Sequence, residues 1–163
     1  MSSTLKRGLI FASGLVMKNT LNWGVDYVLY PIALVALGVV WGGLIMTIFT
    51  VITNLILIKS YDWSKTDWLL IESAKAFRDG EPTAGKTSFI TKVLRLSDPI
   101  VLFILSIWDD PFTTTLYMRR GGHQYNGMSR RDWMIFSVSS IISNLFWIGA
   151  WSSLIALYYW FRS

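Results

Sequence analysis

Two long uncharged runs dominate the pattern of apolar and polar positions along this chain. Residues 133–161 carry no charge, with Ser129-Arg130-Arg131-Asp132 before them and Arg162 after. Residues 27–58 are likewise uncharged between Asp26 and Lys59. At ~1.5 Å per residue each is long enough, as a helix, to cross a hydrocarbon core of ~30 Å with some tilt. The pattern predicts an all-α integral membrane protein: an antiparallel pair of transmembrane helices with interfacial or re-entrant helices between them, in one membrane domain over 1–163.

The remaining stretches fit around that pair. Residues 1–26 begin like a signal peptide, with Lys6 and Arg7 before an apolar run, but Lys18-Asn19-Thr20 stands where a small-residue cleavage site would be. An interfacial helix is expected there, with Leu5, Leu9, Val16 and Leu21 inward and its lysines at the surface. Pro31 suits a first helical turn. Trp23, Tyr27 and Tyr30 at one end of the 27–58 run, and Tyr61, Trp63 and Trp68 past the other, suggest interfacial aromatic belts. Residues 59–98 form a charged linker, in which Ser64-Lys65-Thr66-Asp67 resembles a capping box opening a surface helix over 68–79.

Residues 99–118 are a broken segment, re-entrant or spanning. Residues 99–108 are wholly apolar but too short to cross, and Asp109-Asp110-Pro111 interrupts them. As a single crossing, the segment would carry two carboxylates into the bilayer, with Asp98, Asp109 and Asp110 as an ion pathway. As two short helices in one leaflet, Asp110 caps the second. Charge counting favours the second arrangement. If 59–132 stays on one side, that side holds 11 Lys/Arg against 4; a crossing at 99–118 makes the split 8 against 7. Two crossings are then expected, with both termini outside the cytoplasm.

Small and polar residues suggest how the two runs meet. Gly38 and Gly42 are four apart, as are Gly149 and Ser153, which lets helix backbones approach closely. Thr47, Thr50 and Asn54 share the i, i+3, i+7 spacing of Ser137, Ser140 and Asn144. An antiparallel pairing sets Asn54 against Ser137, Thr50 against Ser140 and Thr47 against Asn144, a polar seam acting as structural glue.

Composition narrows the chemistry. The chain is 53% hydrophobic with a net charge of +5, and its mean hydropathy is +0.45. Basic residues flanking apolar runs are topology signals and contacts for anionic lipids, so nucleic acid is not expected as a partner. With no Cys and one His, His123, thiolate and paired-histidine metal sites are excluded, and neither a metal nor a cofactor is expected. Residues 80–87, Gly80 to Thr87, match the phosphate-loop pattern G-x-x-x-x-G-K-[ST] in full. No buried strand precedes them and no room remains for a nucleotide-binding sheet, so a surface turn is expected and nucleotide is not. The basic loop over 119–132 could hold phosphate or anionic lipid through Arg119, Arg120, His123, Arg130 and Arg131.

No motif is specific to one protein family, and no nucleophile–base pair is evident. The expectation is a small non-enzymatic membrane protein, structural or accessory, working with copies of itself or with other membrane subunits. The alternatives are a channel or transporter-like protein using the break at Asp109-Asp110, and an anionic-lipid binder using the arginine loop. A bacterial inner membrane and an organelle membrane both fit.

Overall fold

The computed structural model describes residues 3–67, 71, 75, 98–120 and 125–162, with side chains from residue 12 onward. Among these residues the protein is helical, with no strand. The elements are α1 (Ser3–Gly24), a π-helical turn (Val25–Leu29), α2 (Tyr30–Ser64), α3 (Asp98–Trp108), α4 (Pro111–Met118) and α5 (Arg130–Arg162). Two stretches, Ala12–Ser64 and Arg130–Arg162, are long and apolar enough to cross a membrane. Their large apolar side chains, among them Val40, Trp41, Ile48, Ile56, Ile141 and Leu145, face outward rather than into a core.

The first stretch is not one rod. Gly38 lies at φ 77°, ψ 167°, a conformation open to glycine and strained for any residue with a Cβ. Beyond it the chain folds back. A Cβ on Gly42 would lie 2.5 Å from the carbonyl oxygen of Ala33, although nine residues along a straight helix span ~13 Å. Tyr30 and Thr50, ~30 Å apart on a straight helix, donate to the same oxygen of Asn144 at 2.5 and 3.0 Å. The apolar run over 27–58 is therefore divided between two arms, residues 30–37 and 39–64. Gly38 serves the turn, with nothing within 4 Å of where its Cβ would be, and Gly42 packs against its own helix's first arm. The spacing that suggested a docking face for a second helix marks a turn and its close contact.

The second arm runs antiparallel to α5: Gly43 meets Ile148, and Thr50 meets Asn144. Gly149 and Ser153 take no part in this contact and face outward. α1 also differs from the interfacial helix expected over 1–26. Val16 and Leu21 are exposed, while Lys18, expected at the surface, is only 5% exposed. Tyr27 and Tyr30, expected in a belt, pack on α5; Tyr27 lies edge-on to Trp147 at 5.3 Å, and Tyr30 is buried.

The apolar core lies where α4 is enclosed by the second arm of α2, α3 and α5. Phe112, Leu116, Tyr117 and Met118 of α4 pack with Ile58, Tyr61, Val101, Ile135 and Phe136. Ser106 of α3 donates to Ser139 of α5 at 2.8 Å in the same layer. α5 begins with the reciprocal cap its sequence spells: Ser129 N donates to Asp132 Oδ2 at 2.9 Å, and Asp132 N to Ser129 Oγ at 3.2 Å. The capping box expected at Ser64–Asp67 is instead a helix end, with Lys65 in the left-handed region. Asp67 accepts from Tyr61 Oη at 2.9 Å. Ile71 and Lys75 are helical and buried; the rest of 68–97 lies outside the described residues, and with it Gly80 to Thr87.

Candidate functional site: a polar centre at the Asp109–Asp110 break

The break between α3 and α4 is fixed by local chemistry. Pro111 has no N–H, so it fits the first turn of α4 without losing a bond. Asp110 is the N-cap, its Oδ1 accepting from Thr113 N at 2.5 Å. Its carbonyl accepts Thr114 N at 3.0 Å and Thr114 Oγ1 at 2.8 Å. Because α4 is buried along nearly its whole length, the two carboxylates that precede it are held in place. The expectation of two short helices with Asp110 as cap agrees with this geometry.

α1 brings a cation to those carboxylates. Lys18 Nζ forms an ion pair with Asp109 Oδ1 and lies 3.4 Å from Asp110 Oδ2. Asn22 Nδ2 donates to Asp110 Oδ2 at 2.8 Å. The stripe continues through Asp26 and Tyr30, so polar residues recur every fourth position from 18 to 30. On a regular helix of 3.6 residues per turn that spacing drifts around the surface. The π turn Val25–Leu29, with its i→i+5 bonding, falls within the stripe and counters the drift. In that register Pro31 has no N–H for the carbonyl of Asp26, and Trp151 Nε1 of α5 supplies the bond at 2.7 Å.

The other arm and α5 close the site. Asn144 Oδ1 accepts from Tyr30 and Thr50, while its Nδ2 donates to Ser140 O at 2.8 Å. Asn54 Nδ2 donates to Thr50 O at 2.8 Å, and Thr47 Oγ1 to Gly43 O at 2.8 Å. A cavity of about 40 Å³, bordered by Asp26, Tyr30, Thr50, Asn54, Asp109 and Asn144, lies among them. That volume holds a few waters. Three carboxyl groups, Asp26, Asp109 and Asp110, border it, and the Lys18 ammonium is paired with Asp109 beside it. Burial, reinforced by the neighbouring Asp110, pushes the Asp109 carboxyl up to about 6, against the opposing pull of Lys18. Such a centre can hold a cation or exchange a proton. Among the described residues no group of three or more His, Cys, Asp or Glu side chains is placed to hold a metal ion.

The seam expected between the long helices is only partly present. Thr50 bonds to Asn144 rather than meeting Ser140, while Gly43 against Ile148 keeps the expected alignment of the two helices. Asn54 and Thr47 bond within their own helix, Ser137 is exposed, and Ser140 is buried with no partner for its hydroxyl among the described residues. Asp98 is remote from the aspartate pair; it is exposed and lies 3.6 Å from Arg131.

The arginine loop is also divided. Arg119, 1% exposed, donates to Asp62 at 2.6 and 3.4 Å and lies 3.8 Å from Asp132. This buried pair joins the ends of α2, α4 and α5, and it withdraws Arg119 from any outside phosphate. Arg131 donates to Met118 O at 2.7 Å. Arg120 and Arg130 are exposed, and His123 lies outside the described residues.

Lys18, Asn22, Asp26 and Tyr30 were not anticipated as site residues. Their recurrence every fourth position was visible in the sequence, but a polar stripe beside an apolar run resembles an interfacial face. No family model, curated protein or solved structure matches this chain.

Proposed function

We propose that the chain is an integral membrane protein that binds and passes protons or small monovalent cations at its polar centre, as a channel or transporter-like protein. One observation carries this reading: Asp26, Asp109 and Asp110 border a cavity inside a bundle whose outer surface is apolar, with Lys18 paired to the two aspartates of the break beside it. Ionisable groups within membrane helices are costly to keep and mark ion or proton paths. No enzymatic step is proposed. The test is flux. Purified protein in lipid vesicles should dissipate an imposed proton or monovalent-cation gradient, and Asp109→Asn should reduce the rate at least tenfold. Vesicles that stay tight, or an unchanged rate in the variant, would overturn the reading.

The accessory-subunit reading keeps one specific support. Gly149 and Ser153 face outward on α5, four residues apart and open to another helix. If association is the role, Gly149→Leu should abolish co-purification of a second copy or partner in mild detergent while leaving the fold intact.

A further inference from the structure

The polar centre is covered on one side by a helix that apolar packing barely holds. Between residues 12 and 24 only Gly14 and Lys18 are buried, while Leu15, Val16, Met17, Leu21 and Trp23 face away from the bundle. What ties this part of α1 to the break is polar: Lys18 on Asp109 and Asp110, and Asn22 on Asp110. Just past it the anchoring changes. Tyr30 and Leu34 are buried, and Ala33 is pressed against Gly42. Between the loosely held and firmly held parts lies the π turn Val25–Leu29, which buries no residue. Interrupted helical bonding of this kind is where helices bend, and it recurs at functional sites.

We propose that α1 is a gate over the polar centre, turning at the Val25–Leu29 π turn and latched shut by Lys18 and Asn22 on Asp109 and Asp110. The gate deepens the proposed cation or proton path and rests on it only for its purpose; its movement is a separate observable. Proton binding works the latch. Lys18 draws the Asp109 carboxyl downward against the effect of burial, so by reciprocity a proton on Asp109 weakens the hold on Lys18. Among the described residues, the other charged groups facing the centre are Asp110 from the break and Asp26 from the π turn. The second arm of α2 presents Thr50, Thr53 and Asn54, and α5 presents Ser143 and Asn144, all uncharged. Asp109 and Asp110 stay put, because the α4 that follows them is locked in the core, so it is α1 that moves. Acidification through about 6 therefore releases the gate.

The chain has no cysteine, so introduced pairs report without background. Spin labels at Thr20→Cys and Ser137→Cys, both exposed positions, measure α1 against α5 in lipid nanodiscs. A control pair at Lys59→Cys and Ser137→Cys, exposed on α2 and α5, monitors the rest of the bundle. The parent should show one distance above pH 6 and a second, longer one below it. Lys18→Met should show the longer distance on both sides of that pH, and Lys18→Arg should restore the single one. A Lys18→Met distribution identical to the parent's, with the control unchanged, would overturn the gate. If the control pair moves in Lys18→Met, the charge-balanced Lys18→Met/Asp109→Asn variant decides by the same criterion. A gate that opens while vesicles remain tight to protons and cations would leave the gate standing and sink the proposed path.

Discussion

Asn144 shows how far a single residue could be understood from its spacing. Its place on the polar face of the last helix was legible, because i, i+3, i+7 spacing puts Ser137, Ser140 and Asn144 on one side. Its partners were not, since helical periodicity fixes an angle around the axis but not the register along a neighbour. Tyr30, read as an interfacial aromatic, turns out to share the Asn144 carbonyl oxygen with Thr50. Asn144→Leu would leave the buried Tyr30 hydroxyl without its acceptor, whereas Thr50 keeps the Thr47 carbonyl at 3.1 Å, so it should destabilise the protein by roughly 1–3 kcal/mol. Asn54, whose side-chain amide donates within its own helix, should cost less when replaced by Leu. Unfolding in mixed micelles, followed by tryptophan fluorescence, compares the two. Asp109 adds a pH dependence. Its carboxyl is raised from 3.8 to about 6 in the folded protein, so the native state holds that proton more tightly than the unfolded chain. Its contribution to stability is full below the unfolded value and is lost as pH rises through the folded one. The thermal midpoint of the parent should fall between pH 4 and 6 relative to Asp109→Asn; a parallel pair of curves would refute this.

Elements were legible in proportion to how strongly they are punctuated. Charge and capping residues delimit α5, expected over 133–161 and found at Arg130–Arg162. Asp109-Asp110-Pro111 ends one helix and starts another with the same clarity. The fold-back at Gly38 had no such punctuation. A glycine in an apolar run looks the same whether the helix continues or reverses, and GxxxG points equally to a helix contact and to a turn. The structure separates the two roles. Gly38→Ala places a Cβ at φ 77° and should cost roughly 1–3 kcal/mol. Gly149→Ala, in an ordinary helical turn with open space around it, should instead be neutral or stabilising by up to about 1 kcal/mol. Chemical denaturation of both variants in one detergent is the check. If they behave alike, the reversal at residue 38 is not a property of the folded protein.

For the whole molecule, the fold-back changes the charge count on which topology rests. With separate crossings by residues 12–37, 39–64 and 130–162, the N-terminus joins the 59–132 side. Lys6 and Arg7 then add to the 11 Lys/Arg there, making 13, against Arg162 alone opposite, with Lys18 inside the bundle. That is a sharper asymmetry than the 11 against 4 of a two-crossing arrangement, and it predicts an N-terminus in the cytoplasm and a C-terminus outside. Reporter fusions at residues 1, 85 and 125 should report the cytoplasmic side and a fusion at 163 the opposite one. A C-terminus on the same side as residue 125 would refute three crossings.

The ion pair between Lys18 and Asp109 joins residues 91 positions apart, and that separation has a meaning in time. A ribosome adding ~5–20 residues per second needs roughly 5–20 s to make the stretch between them. Throughout that interval the nascent chain holds a lysine whose carboxylates do not yet exist, and an unpaired ammonium is expelled from hydrocarbon. The amphipathic surface helix spelled by residues 1–26 alone is the form open to the segment while it waits. α1 is thus expected to enter the bundle late, after the break at Asp109–Asp110 has been synthesised. Nascent chains released before residue 109 should expose α1 to quality-control proteases.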